Sequence, residues 1–384
     1  MYADGEEQNM NSMKKWIETH FEEQIELLKT LAAIPAPSGE EDRRVEFIVD
    51  WLSERGFRCR VDTAKNVIVP FFGEADGDIS CYIAHTDIVF SDTSPLPVRM
   101  AGERLCAPGV GDDTANVVAI LMILLYIKEN SLKPNSHVMF ALNSCEEGLG
   151  NLRGIRQIMR DHAGRIKQVV SFDCDLNAIC VKAVGSERWR ITVRTEGGHS
   201  FGAFGKPNAI HRASKLISRL YEQTLPPFDG KTTYNVGIIN GGTSVNTIAQ
   251  ACELLYEYRS ENAESLAYMR ERFKELLSEA NCDQARFEAE LIGERPCGAN
   301  VDESAINVLF ERCFCAVQSV TGISPERGAG STDANVPLSL GVPAVTFGLM
   351  NGAGAHTREE WVDVPSLKLG LEVGLRLVVG SHFE

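Results

Sequence analysis

The chain has 384 residues, 44% hydrophobic and 24% charged, which excludes a disordered polymer and supplies apolar material for two cores. Its 38 basic and 53 acidic residues leave a net charge of −15, which repels phosphate backbones and argues against a nucleic-acid partner. The 11 cysteines form no CxxC pair, and the polar N-terminus lacks a basic–apolar–small signal pattern, so a reduced, cytoplasmic protein without a disulfide framework is expected.

A first helix is expected from Met10 to Ala33, where Ile17, Phe21, Ile25, Leu28 and Leu31 recur at helical spacing. Pro35 and Pro37 stop it. Ser38 and Glu41 then form a capping-box pattern opening a helix that runs to Gly56. Short strands follow at Arg58–Asp62 and Asn66–Phe71, and the apolar run Ile79–Ala84 reads as a central strand. The apolar stretch Val117–Ile127 is too short to span a bilayer and reads as a buried helix starting near Thr114, so no membrane partner is expected. A strand at Val138–Leu142, a helix after Gly148 and a strand at Gln168–Phe172 continue an α/β alternation, which implies a sheet covered by helices on both faces.

The pattern changes near Gly185. Trp189, Ile191 and Val193 alternate with Arg190, Thr192 and Arg194, as in a strand with one wet face. A helix at Asn208–Tyr221, strands at Tyr234–Ile239 and Cys252–Tyr258, a helix at Ala263–Ala280 and a strand at Arg286–Leu291 complete a β-α-β-β-α-β order, the split βαβ arrangement. After Pro296 the α/β pattern resumes with a helix at Glu303–Val320, a strand at Ala344–Phe347 and a last helix at Ser366–Val379. The domains are therefore drawn as 1–184 with 296–384, and an inserted 185–295.

Chemistry-bearing residues gather where the apolar strands end. His85 and Asp87 follow Ile79–Ala84; ligand sites in open α/β sheets lie at the carboxyl ends of strands, and residues two apart on an extended chain share a face. Asp87 can thus orient His85 and fix its tautomer. Asp112 and Asp113 precede the buried helix. One of them reads as a cap, but two adjacent acids exceed what capping needs, and a carboxylate such as Asp112 can bridge two cations. Glu146 and Glu147 follow Val138–Leu142 and precede the turn Gly148-Leu149-Gly150. Asp173 and Asp175 follow Gln168–Phe172, and His356 follows Ala344–Phe347. Each is ordinary alone. Together they offer the imidazole and carboxylate donors that zinc, manganese or cobalt accept. Cys145 and Cys174, beside the acids, read as small packing residues.

These motifs, in order, resemble the di-zinc exopeptidases and amidohydrolases that include peptidase T, carboxypeptidase G, aminoacylase, acetylornithine deacetylase and succinyl-diaminopimelate desuccinylase. The resemblance spans nearly the whole chain: Ala84-His-Thr-Asp87, Gly111-Asp-Asp113, Glu146-Glu-Gly148, Asp173, Gly241-Gly-Thr-Ser-Val-Asn246, Ser331-Thr-Asp-Ala334 and Ala355-His356. It implies a zinc-exopeptidase-like mixed sheet flanked by helices, with a ferredoxin-like lid and dimerisation domain inserted. It implies two divalent metal ions per chain, zinc or else cobalt or manganese. His85 and Asp173 would hold one, Glu147 and His356 the other, and Asp112 would bridge them, with a cis peptide after it. Asp87 would support His85, and Glu146 would be the general base. His199 would bind the substrate carbonyl oxygen in the partner's site of a homodimer, while Asn246 and Arg259 would grip substrate. Asp175 remains an alternative to Asp173, and Glu360 matches an acid near the site whose role is open.

The activity implied is hydrolysis of short peptides, tripeptidase or peptidase T-like. The alternative is deacylation of N-acyl amino acids by the same chemistry. A reading of another class is a metal-free, non-catalytic binding protein on the same scaffold, against which the full set of ligands and the base argues.

Overall fold

The computed structural model describes residues 2–72, 77–298 and 301–384, with side chains from residue 10 onward. The chain divides into two compact units, residues 1–182 with 300–384, and residues 183–299.

The first unit is built on an eight-stranded mixed sheet. Its centre is parallel: His137–Asn143, Ile79–His85, Ile166–Phe172 and Ala344–Phe347 lie side by side in that order. Antiparallel strands flank them, Val67–Phe71 beside His137–Asn143 and Ala178–Ala183 beside Ala344–Phe347. Every residue of His137–Asn143 is buried, as a strand covered on both faces requires. One cover is the helix Asn116–Glu129, whose apolar residues point in all directions and are buried from Asn116 to Ile127. It packs on the helices Tyr2–Ala32 and Val364–His382. The stretch Val110–Glu129 is long and apolar enough to cross a membrane, but it is 94% buried and serves as the core helix. Among the described residues no disulfide occurs, and all 11 cysteines are free thiols.

The second unit has a four-stranded antiparallel sheet in the order Thr232–Gly241, Ala251–Ser260, Gly185–Arg194, Arg286–Arg295. The helices Ala209–Tyr221 and Ala263–Ala280 pack on one face of it. Ile191, Val193, Leu254, Tyr256 and Tyr258 meet Leu216, Met269 and Phe273 in that unit's core. Asn208 and Asn262 cap the two helices through their side-chain oxygens.

Two local expectations fail. No acid caps the buried helix: Asn116–Glu129 starts without a side-chain cap, and Asp113 accepts instead from His85 N at 2.8 Å and Asn116 Nδ2 at 2.7 Å. Ser38 and Glu41 form no capping box: the helix Asp42–Glu54 starts without a side-chain cap. Both side chains are spent elsewhere, on the strand ends that carry the acids, as described next.

Candidate metal centre

The carboxyl ends of the parallel strands converge, as the twist of an open sheet arranges at a point where strand order reverses. His85 is the last residue of its strand, Asp173 directly follows Phe172, and Glu146 and Glu147 lie just beyond Asn143. Asp112 comes from the short, irregular turn of helix ahead of Asn116, and His356 from the loop after Ala344–Phe347.

Asp112 lies between the two histidines. Its Oδ1 is 3.1 Å from His85 Nε2 and its Oδ2 is 3.1 Å from His356 Nε2. His356 Nε2 is also 3.2 Å from Glu147 Oε1. Ligand atoms of His85, Asp112 and Asp173 lie within 4.8 Å of one another, and so do those of Asp112, Glu147 and His356. A third group, His85 with Glu146 and Glu147, brings the second glutamate to the same place. Asp175 is in none of these groups; its Oδ1 accepts from Asn177 N at 2.8 Å in the following turn. The peptide between Asp112 and Asp113 is cis.

The donor set fits a pair of divalent cations. Two overlapping triads share one carboxylate, each mixing imidazole with carboxylate, the ligands zinc and its neighbours accept. Buried Glu147 Oε1 has His356 as its ion-pair partner but no hydrogen bond of good geometry, a position that a cation would satisfy better. The titration behaviour agrees. Burial pushes Glu147 and Asp173 up to about 7. Burial pushes Asp112 the same way, but hydrogen bonds from His356 and His85 hold it below the usual carboxylate range. Pairing with Asp112 and then Glu147 lifts His356 to about 10. Burial opposes the charge on His85, yet Asp113, Asp112 and Asp87 raise it well above its ordinary value. Such a crowd of anions around two imidazoles is balanced by positive charge placed between them.

A second layer fixes these groups. Asp87 accepts from Glu146 N at 3.0 Å, Glu147 N at 2.9 Å and Ser38 Oγ at 2.5 Å, so one buried carboxylate sets the backbone of both glutamates. It also lies 3.6 Å from His85 Nδ1. Ser38 reaches on to Glu147 O at 3.1 Å, and Glu41 accepts from Cys145 N at 3.2 Å. Cys145, Cys174 and His356 all adopt positive φ, at 58°, 70° and 65°. Left-handed backbone at such residues costs about 1–2 kcal/mol each, so this loop geometry is imposed by its surroundings. Glu360, whose role the sequence left open, accepts backbone N–H groups of Gly109, Gly111 and Asp112 at 2.8, 2.7 and 2.8 Å. It therefore cradles the turn that presents Asp112. A Cβ at Gly111 would come within 2.8 Å of Met350 Cε and 3.1 Å of Glu360 Oε1, so a larger residue there would displace the side chains that hold the turn.

Arg44 was missed from sequence. Its fully buried guanidinium donates to Ile34 O at 2.8 Å, Thr86 O at 3.0 Å and Thr114 Oγ1 at 3.1 Å. The charges of Asp87, Asp113 and Glu360 favour its protonated form against the cost of burial. A signal existed: Arg44 shares a helix face with Ile48 and Leu52, where an arginine is out of place unless paired.

In the second unit, His199 is exposed, its Nδ1 3.3 Å from the N–H groups of Phe201 and Gly202. Asn246 is exposed and accepts from Ser244 Oγ at 2.8 Å. Arg259 grips Glu257 through two nitrogens, at 3.1 and 3.2 Å.

The model of the peptidase family M20/M25/M40 matches residues 81–379. An acetylornithine deacetylase of Myxococcus xanthus is 27% identical over 302 residues, 74% of this chain and 75% of that protein. A succinyl-diaminopimelate desuccinylase of Nitrosomonas eutropha is 24% identical, over 76% of this chain and 80% of its own. The crystal structure of a tripeptidase from Staphylococcus aureus superposes with a TM-score of 0.74 at 20% identity, covering 93% of this chain and 97% of that one, and so shares the fold.

Proposed function

This chain belongs to the M20/M25/M40 peptidase family, hydrolases of peptide and amide bonds, and from that premise we propose a metallo-exopeptidase of short peptides with Glu146 as general base. The observation that carries the reading is the position of Asp112, one oxygen against His85 and the other against His356, with Asp173 and Glu147 completing two ligand sets.

His85, Asp112 and Asp173 would hold one divalent ion and Asp112, Glu147 and His356 the other, zinc first and cobalt or manganese as substitutes. When bound, such a pair polarises the scissile carbonyl and makes a water acidic near neutral pH. Glu146 takes the proton of that water as its oxygen attacks the carbonyl carbon. It then returns the proton to the amide nitrogen as the C–N bond breaks, so the carboxylate is regenerated. Such acid–base help is worth about 10²–10⁴-fold. Asp87 keeps Glu146 in place through its backbone N–H.

We read residues 1–184 with 296–384 as the catalytic domain and 185–295 as a lid that also dimerises. His199 of the partner would stabilise the carbonyl oxygen, while Asn246 and Arg259 would hold the substrate. Glu257, which now occupies the Arg259 fork, would have to yield to a substrate carboxylate. Free thiols throughout support a reducing, cytoplasmic setting. A second reading, N-acyl amino acid deacylation, is favoured by the names of the two sequence relatives above and uses the same chemistry.

The test is Glu146→Gln. It should retain both metals, measured by elemental analysis, and lose nearly all turnover on di- and tripeptides. Turnover at the wild-type rate eliminates Glu146 as the base.

A further inference from the structure

Beside the metal centre lies an open cavity of about 270 Å³. Asp112 and Asp173 form one side. Met350, Ala353, Ala355 and Trp361 supply apolar wall, and half-buried Asp175 is part of the lining. Asp175 is placed firmly: its Oδ1 accepts from Asn177 N at 2.8 Å, and its carbonyl accepts from Gly348 N at 2.9 Å. The loop can approach this closely only because position 348 is glycine; a Cβ there would sit 2.0 Å from Cys174 O. Trp361 is held by Arg104, whose guanidinium lies 3.8 Å above its ring.

The acids around this cavity have different commitments. Asp112 and Asp173 belong to the cation ligand sets, and Glu360 is used by three backbone N–H groups. Asp175 pairs with no lysine, arginine or histidine among the described residues and has acceptor capacity to spare. Asp175 is thus the one carboxylate of the cavity lining left uncommitted, and beside an apolar wall and the reacting centre it complements an ammonium group attached to an apolar body.

We infer that Asp175 binds the free α-ammonium group of the substrate, with the N-terminal residue's apolar side chain in the cavity against Met350 and Trp361. This rests on the exopeptidase reading and deepens it: the enzyme removes an N-terminal apolar residue from short peptides. The same carboxylate repels an N-succinyl group, whose own carboxylate would face it, and gives an N-acetyl group no charge to meet. Specificity thus comes from attraction for one class and repulsion of the other.

The experiment compares leucyl-glycyl-glycine with its N-acetyl and N-succinyl derivatives on the metal-loaded wild type and on Asp175→Asn and Asp175→Glu. A charge-assisted hydrogen bond is worth about 10- to 100-fold. The ratio of kcat/KM for free-amino over N-acetyl substrate should fall by that factor in D175N, mostly through KM, and recover in part in D175E. An unchanged ratio overturns the assignment. So does loss of metal from D175N, which would make Asp175 a support of the ligands instead. Cleavage of the N-acyl substrates alone by the wild type refutes it and favours deacylation. If the wild type cleaves none of the three, the exopeptidase reading falls, and calorimetry with leucine and N-acetyl-leucine still decides the site. Equal affinities in wild type and D175N refute a role for the ammonium group.

Discussion

Replacing Arg44 by methionine keeps the apolar stem but removes the buried guanidinium. Three acceptors lose their donor: Ile34 O, Thr86 O and Thr114 Oγ1, now at 2.8, 3.0 and 3.1 Å. The carboxylates of Asp87, Asp113 and Glu360 lose a cation that interacts with them electrostatically. Breaking a buried, hydrogen-bonded charge cluster costs about 3–5 kcal/mol. At roughly 2–4 °C per kcal/mol for a domain of this order, the melting temperature of the metal-free protein should drop by about 6–20 °C. The metal-loaded protein should lose less. Without Arg44 the floor of the site is more negative, so divalent cations stabilise the variant more than the wild type, and binding to the folded state alone raises stability. The assay is thermal unfolding of R44M and wild type, each with chelator and with zinc. A metal-induced rise no larger in R44M than in wild type would refute the electrostatic role. A metal-free loss below about 1 kcal/mol would refute the structural one. Arg44→Lys should be intermediate, since one ammonium cannot span three acceptors.

Glu360→Gln leaves a carboxamide where two oxygens now accept three backbone N–H groups. Its NH₂ must face a donor, so about 1–3 kcal/mol of stability should go, and metal affinity should weaken as Asp112 loses its setting; unchanged affinity by competition titration contradicts this. The metal-free protein should also become less stable as pH rises. Burial holds Glu147, Asp173 and Glu360 near about 7 in the folded state, against 4.5, 3.8 and 4.5 when unfolded, so their contribution is present below pH 4.5 and is lost as pH climbs through 7. His356, raised to about 10, acts in the same sense, while His382, depressed by burial to about 4, acts oppositely below 6.5. Melting curves of chelated protein between pH 5 and 8 should fall, and the stabilisation by zinc should grow over that range; a chelated protein that gains stability across it contradicts the charge assignment.

The sequence alone determined the order of elements and singled out the acids and histidines that the fold brings together. Apolar runs such as Ile79–Ala84 and Val138–Leu142 are long enough to declare buried strands, and the acids and histidines at their ends stand out because such residues seldom follow core segments. Asp87 and Asp112 were readable for the same reason. The second layer was not. Ser38 and Glu41 carry a helix-start pattern, and only the folded chain shows them serving Asp87, Glu147 and Cys145 instead. Arg44 and Glu360 act through partners about 40 to 250 residues away, which no local spacing encodes. The choice between Asp173 and Asp175 shows the difference in miniature. Two residues apart, both follow the same strand; the resemblance favoured Asp173 without excluding Asp175, and the chain's turn puts Asp173 beside His85 and Asp112 and leaves Asp175 outside that group. Periodicity reports which residues enter the core; where a charged side chain ends up depends on what other segments bring to meet it.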